Sequence, residues 1–309
     1  MNKNRAIQLA KNKDSYGITF NAMASPCEVI IQSSDKQLSA ELGNIIATEV
    51  WRIEDKFSRY NQHSACGVIN NNAGHSVSID EETYLLLNFA EQCYQLSDGL
   101  FDISSGVLRK VWSFNGTQAS EGNSDNFPTV EQVKQNLTLV GWRKITFDQN
   151  QISLVKGMEI DFGGIGKEYA VDRAIILAKQ LTNNPVLVNL GGDLAVTCPR
   201  TNNEPWQVAI EHPDSDKNHT NYVDMIVSLK TGALATSGDA RRFVIHNGKR
   251  YSHILNAKTG WPINEAPRSI TVVAPQCIQA GILATLALLQ GSHAEQFLVD
   301  QDIKFWARR

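Results

Sequence analysis

The segment DFGGIGKEYAVD, Asp161 to Asp172, packs three glycines and a lysine into a turn that leads into an apolar-periodic run. Gly163, Gly164 and Gly166 leave backbone N–H groups open to a ligand, and the N-terminus of the following helix favours an anion. Lys167 can set a point charge on the same oxygens. A phosphate is the group this pattern serves. The spacing is not that of a P-loop, since Glu168 stands where a Ser or Thr would meet Mg2+, and no GxGxxG dinucleotide fingerprint is present. Close packing of backbone is the competing reading, and the residues alone leave both open.

Three further clusters carry candidate chemistry. Asn189 to Asp193, NLGGD, is a second glycine turn, ending in a carboxylate that either meets a ligand or satisfies its own turn. Thr236, Ser237 and Asp239 surround Gly238 just before Arg241 and Arg242, which places hydroxyls and an acid beside two guanidinium groups. His253, in YSHILNAKTGWPI, sits on a strand before a Lys-Thr-Gly turn. An imidazole titrates near neutrality and suits general-base work, although a strand histidine is more often structural.

These residues need a scaffold, and 309 residues suffice for one large domain or two joined ones. Alternation of Cys27, Val29 and Ile31 within residues 17–33 predicts two short strands with one buried face. Leu38, Leu42, Ile45, Ile46, Val50 and Ile53 predict an amphipathic helix over Lys36 to Phe57, and a second follows over Asp80 to Leu96 with Asp80 as its cap. Val130 to Leu139 reads as a short helix, then WRKITFD and QISLVKG as paired strands. Lys167 to Leu181 reads as a helix, and PVLVNLGGDLAVTC as strand, tight turn and strand. Strands dominate from Trp206 to Val273, and a very apolar helix closes the pattern over Ile278 to Leu289. The polar stretch from Asn115 to Pro128 marks a surface loop and a candidate sub-domain boundary near 115–128.

Charge narrows the partners. Lys+Arg 29 against Asp+Glu 32 gives a net charge of -3, and without a basic block nucleic acid is not expected. Five scattered cysteines with no CxxC argue against a disulfide framework or a zinc site, and read as buried small hydrophobes. No apolar run has membrane-spanning length or the form of a signal peptide, so the chain as written is expected in the cytoplasm, or in the periplasm if an export segment was trimmed.

Taken in order, NAMASPCEV, FSRYNQHS, SDGLFDISSGVLRKVW, DFGGIGKEYAVD, NLGGD, TSGDARR, HILNAKTG and QAGILATLALL resemble the motif series of the ApbE family of flavin transferases, across most of the chain. The resemblance implies an α+β fold with ApbE-like, T-fold-like mixed sheets, packed helices and two intimately joined sub-domains, and FAD bound in the cleft between them. It implies transfer of FMN from FAD to a threonine of a target protein with release of AMP, supported by Mg2+. By position it implies FAD contacts at Met23, Tyr60, Asp98, Phe101, Gly163, Gly164, Gly166, Lys167, Asp172, Asp193, Ser237, Asp239 and His253. His253 and Lys167 become the catalytic pair, and Asp102 matches too, as a cap or a contact. For the metal it implies Thr285 and the backbone carbonyl region of Gly164.

The family's last helix carries an aspartate four residues before that threonine, and this chain has Gly281 there. Glu168 replaces a usual glycine, Ala240-Arg241 a Tyr-Glu, and Asn256, Ala257 and Lys258 an Asp-Pro-Arg. A side-chain-free position cannot serve as a hard oxygen ligand. The departures therefore lead to an expectation of weak or degenerate turnover, with Arg241 and Lys258 holding the diphosphate in the metal's stead. A non-catalytic FAD-binding or flavin-delivery protein, and an FAD pyrophosphatase giving FMN and AMP, are the alternatives. At Gly281 itself, an installed aspartate is expected to rebuild the metal site.

Overall fold

The computed structural model describes residues 5–114, 127–212, 223–240 and 242–309. Eight strands form the central sheet: β1 (Gln8–Lys11), β2 (Tyr16–Ala22), β3 (Ser25–Ile31), β4 (Val186–Leu190), β5 (Asp193–Val196), β6 (Gly232–Gly238), β7 (Ser269–Ala274) and β8 (Phe305–Arg308). They lie in that spatial order, and every pairing among the described residues is antiparallel. Consecutive neighbours are therefore hairpins or returns, and the alternation seen in the sequence decides which side of each strand is covered.

Both faces of the sheet are buried, by different partners. Val186, Val188 and Leu190 of β4, Ala195 of β5 and Ala233 and Ala235 of β6 belong to the main core, which includes the apolar stripes of three helices. These are α1 (Lys36–Phe57), α5 (Gly166–Leu181) and α6 (Cys277–Leu289). The intervening Leu187, Leu194, Val196 and Leu234 point the other way, onto Trp206, Val208, Ile210, Val227 and Leu229 of an antiparallel strand pair, Trp206–Glu211 with Val223–Leu229. Ile46 and Ile53 of α1 are almost fully enclosed, each burial contributing roughly 1.5–3 kcal/mol.

The helix expectations hold closely. α1 has the bounds the periodicity predicts, with Asp35 accepting from the N–H groups of Gln37 and Leu38. The remaining helices are α2 (Ala65–Asn71), α3 (Glu81–Leu96), α4 (Val130–Leu137) and α7 (Ala294–Asp300). Asp80 caps α3 through the Thr83 N–H. The expected WRKITFD strand is shorter, since Trp142–Lys144 coils into a 3-10 turn before the Thr146–Phe147 strand. The reason is tertiary: the Trp142 N–H donates to the carboxylate of Asp102, 40 residues earlier, at 2.8 Å. Four of the five cysteines are buried and all are free, as composition suggests. Of the candidate boundary near 115–128, residues 115–126 lie outside those described.

Candidate active site

Hairpin geometry gathers the turns at one end of the sheet. The β2–β3 turn is Met23-Ala24, with φ of 51° and 57°, and the β4–β5 turn is Gly191-Gly192, with φ of 68° and 105°. Two left-handed residues in succession are the mark of a type I′ hairpin, usually filled by Asn or Gly; Met and Ala there are strained, and such strain concentrates at ligand sites. A Cβ on Gly191 would lie 2.7 Å from the Ser25 hydroxyl and 3.6 Å from Lys167 Nζ. The two hairpin turns and the start of α5 thus touch.

The glycine turn at 163–164 is built on Phe101 and Asp161. Phe101 is buried, and its ring lies 3.2 Å from where a Gly164 Cβ would stand, so it forms the floor of the turn. Asp161 accepts from the Gly163 N–H at 2.9 Å and pairs with Arg59 at 2.6 Å. Arg59 stacks on the Tyr60 ring and donates to its hydroxyl. Tyr60 itself is 79% exposed, a bare aromatic face beside the turn. Gly163 and Gly164 are exposed, and a Cβ on Gly166 would meet nothing within 4 Å. α5 then starts with no side-chain cap.

Asp193 is buried, with Lys167 Nζ 3.5 Å away and the Thr236 N–H donating at 3.2 Å. Burial pushes its carboxyl up, against the pull of Lys167. Ser237 on β6 and Thr285 on α6 share a hydroxyl hydrogen bond of 2.8 Å, which brings α6 to the same end. His253 is half-buried, and its Nδ1–H donates to the Arg242 carbonyl at 3.2 Å, leaving Nε2 as the basic nitrogen. Burial, reinforced by Arg242, pushes the imidazole down to about 4.

Several expected contacts are redirected. Asp172 uses both oxygens to accept from the N–H groups of Cys277 and Ile278 at 2.8 and 2.9 Å, so it caps α6 across the helix interface. Asp239 is clamped by Arg250 at 2.8 Å and Arg268 at 2.7 Å. Asp102 caps its own turn through Ser104 and Trp142. Asp98 is exposed and pairs with Lys258 at 2.8 Å. Arg241 lies outside the described residues.

Glu168 and Gly281 are the residues whose relation the linear sequence hides. Glu168 is 8% exposed, and its Oε2 is fully buried with no hydrogen-bond partner. Burial, then the neighbouring Asp193, holds its carboxyl well above the usual range. A Cβ on Gly281 would lie 2.6 Å from both Cγ and Oε1 of Glu168. The glutamate occupies the space an α6 side chain would fill. An aspartate installed at 281 would meet the Glu168 side chain, which must move aside to admit it.

A family model, "ApbE family", matches residues 23–306. The chain belongs to the ApbE family. ApbE relatives include the FAD:protein FMN transferase of Haemophilus influenzae, 28% identical over 88% of this chain and 77% of that protein. That of Vibrio cholerae is 28% identical over 84% and 73%. Among solved structures, the ApbE protein of Thermotoga maritima superposes with a TM-score of 0.83 at 29% identity, covering 95% of this chain and 94% of that one. The ApbE flavin transferase of Vibrio cholerae gives 0.79 at 23%, covering 98% and 94%. Several of the ApbE motifs quoted from the sequence, among them the 163–166 turn, NLGGD and the Ser237–Thr285 pair, meet at this sheet end.

Proposed function

We propose that this chain is an FAD:protein FMN transferase, which moves FMN from FAD onto a threonine hydroxyl of a target protein and releases AMP. The observation that carries the reading is the meeting of the 163–166 turn, Lys167, the 191–192 turn and the Ser237–Thr285 pair at one end of the sheet. Exposed glycine backbone at an uncapped helix start accommodates a diphosphate. Tyr60 offers the isoalloxazine an aromatic face, with Met23 as an apolar wall.

In the reaction the threonine oxygen attacks the FMN phosphorus, the P–O bond to AMP breaks, and the hydroxyl proton leaves the nucleophile. His253 Nε2 accepts that proton, its ring held by the Arg242 carbonyl. A base pushed down to about 4 is weak alone, and the anionic diphosphate draws it back toward neutrality. Lys167 balances charge gathering on the phosphoryl oxygens and is itself steered by Asp193. Mg2+ supplies further neutralisation of the diphosphate when bound. The residues present fit a hard cation: Thr285, the Gly164 carbonyl and the partnerless Glu168 oxygen are all oxygen donors.

Incubation with FAD and Mg2+, with and without a threonine-bearing acceptor protein, tests the reading. Flavin covalently attached to the acceptor with equimolar AMP is expected. Free FMN and AMP in its place would mark a pyrophosphatase, and FAD bound but intact a delivery protein.

A further inference from the structure

Removing a carboxylate from water without a partner is costly, and a buried acid is kept only where something pairs with it. Glu168 breaks that rule at one oxygen. Its Oε2 is sealed from solvent with no donor, while Oε1 reaches the point where a side chain on residue 281 would begin. Gly281 precedes Thr285 by one helical turn on the same face of α6, and Thr285 bonds Ser237 from the sheet. The carboxylate of α5 thus crosses the helix interface to the face of α6 that carries Thr285 one turn on. Among the described residues no three His, Cys, Asp or Glu side chains converge. A centre here would therefore combine one carboxylate with hydroxyl, carbonyl and ligand oxygens, the donor set of Mg2+ rather than zinc.

We propose that Glu168 is the carboxylate ligand of a divalent cation in this chain, delivered from α5 through the gap that Gly281 leaves in α6. The inference rests on the transferase reading for the phosphate side of the cation, and it makes the two positions interdependent. A Cβ at 281 would require the Glu168 side chain to move away from α6. Glutamate at 168 is required because glycine at 281 offers no oxygen. The expectation of a degenerate metal site, drawn from position 281 alone, is thereby replaced by one of a relocated ligand.

Mn2+ serves as the probe, its free concentration read by electron paramagnetic resonance, with and without FAD, alongside thermal melts in chelator. Wild type is expected to bind one Mn2+, more tightly with FAD. Glu168→Gln, close to isosteric, is expected to lose at least tenfold in Mn2+ affinity while melting in chelator no lower than wild type. Gly281→Asp alone is expected to melt lower, through overlap. The double variant Glu168→Gly with Gly281→Asp is expected to fold and to recover Mn2+ affinity to within severalfold of wild type. Unchanged Mn2+ affinity in Glu168→Gln, or a folded double variant that binds no Mn2+, would overturn the assignment. Absence of Mn2+ binding by wild type, with FAD or without, overturns it too. FAD titration in chelator is separate: failure there removes the flavin reading, while the Glu168 dependence of Mn2+ binding still decides the ligand.

Discussion

Lys167 shows how one residue serves both ligand and frame. Its ammonium lies 3.5 Å from the buried carboxylate of Asp193 and is the one cation paired with it among the described residues. Lys167→Ala should weaken FAD binding by about 1.5–3 kcal/mol, the loss of a charge-assisted contact. It should also lower the melting temperature of the free protein, because Asp193 is left buried beside Glu168 without compensation. Fluorescence titration and a melt without ligand check the two halves, and an unchanged melt would show that Asp193 does not depend on the lysine. His253 makes a prediction about pH. Its folded value is about 4 against 6.5 unfolded, so between those values the unfolded chain binds the extra proton and stability falls as pH falls. Arg242, Asp239 and Lys167 are the charges that act on it. Denaturant unfolding of wild type and His253→Gln should give curves that converge in slope above about pH 6.5 and separate below it, wild type losing more. Parallel curves across the range would mean the imidazole is not held neutral.

At the scale of elements, the register of α5 against α6 decides the site. Asp172 caps α6 from a neighbouring helix, a task that the cap residue Gln276 does not perform with its own side chain. Asp172→Ala should destabilise the fold by about 1 kcal/mol, up to about 2, as loss of a helix cap does. Because α6 carries Gly281 and Thr285, divalent-cation affinity should fall with it although the residue touches no ligand. A chemical denaturation midpoint gives the first number and Mn2+ titration the second. Loss of FAD affinity in chelator with full stability would return Asp172 to the ligand.

For the whole molecule, the antiparallel order places the β2–β3 and β4–β5 turns, the β6 C-terminus and the β7 N-terminus at one end. The site is thus assembled from segments far apart in the chain but fixed to one rigid sheet. If that end holds a diphosphate, FAD should bind more tightly than FMN and raise the melting temperature more at equal concentration, since stabilisation follows ligand concentration over Kd. Equal shifts from the two flavins would remove the diphosphate from the Gly163 to Lys167 turn.

The sequence by itself determined the local structure and the family. Periodicity placed α1 and α3, Asp80 identified the cap of α3, and the ordered motifs marked the chain as ApbE-like, because those signals reside in contiguous residues. Tertiary structure alone decided which acids are tied to partners distant in the chain. Asp172 meets a helix start 105 residues away, and Asp239 two arginines 11 and 29 residues away. The relation of Glu168 to Gly281 was likewise out of reach. In the chain they read as two independent losses separated by 113 positions, whereas in space one side chain fills the volume the other vacates. Excluded volume between packed helices is a pairwise property of the fold, and no single position carries it.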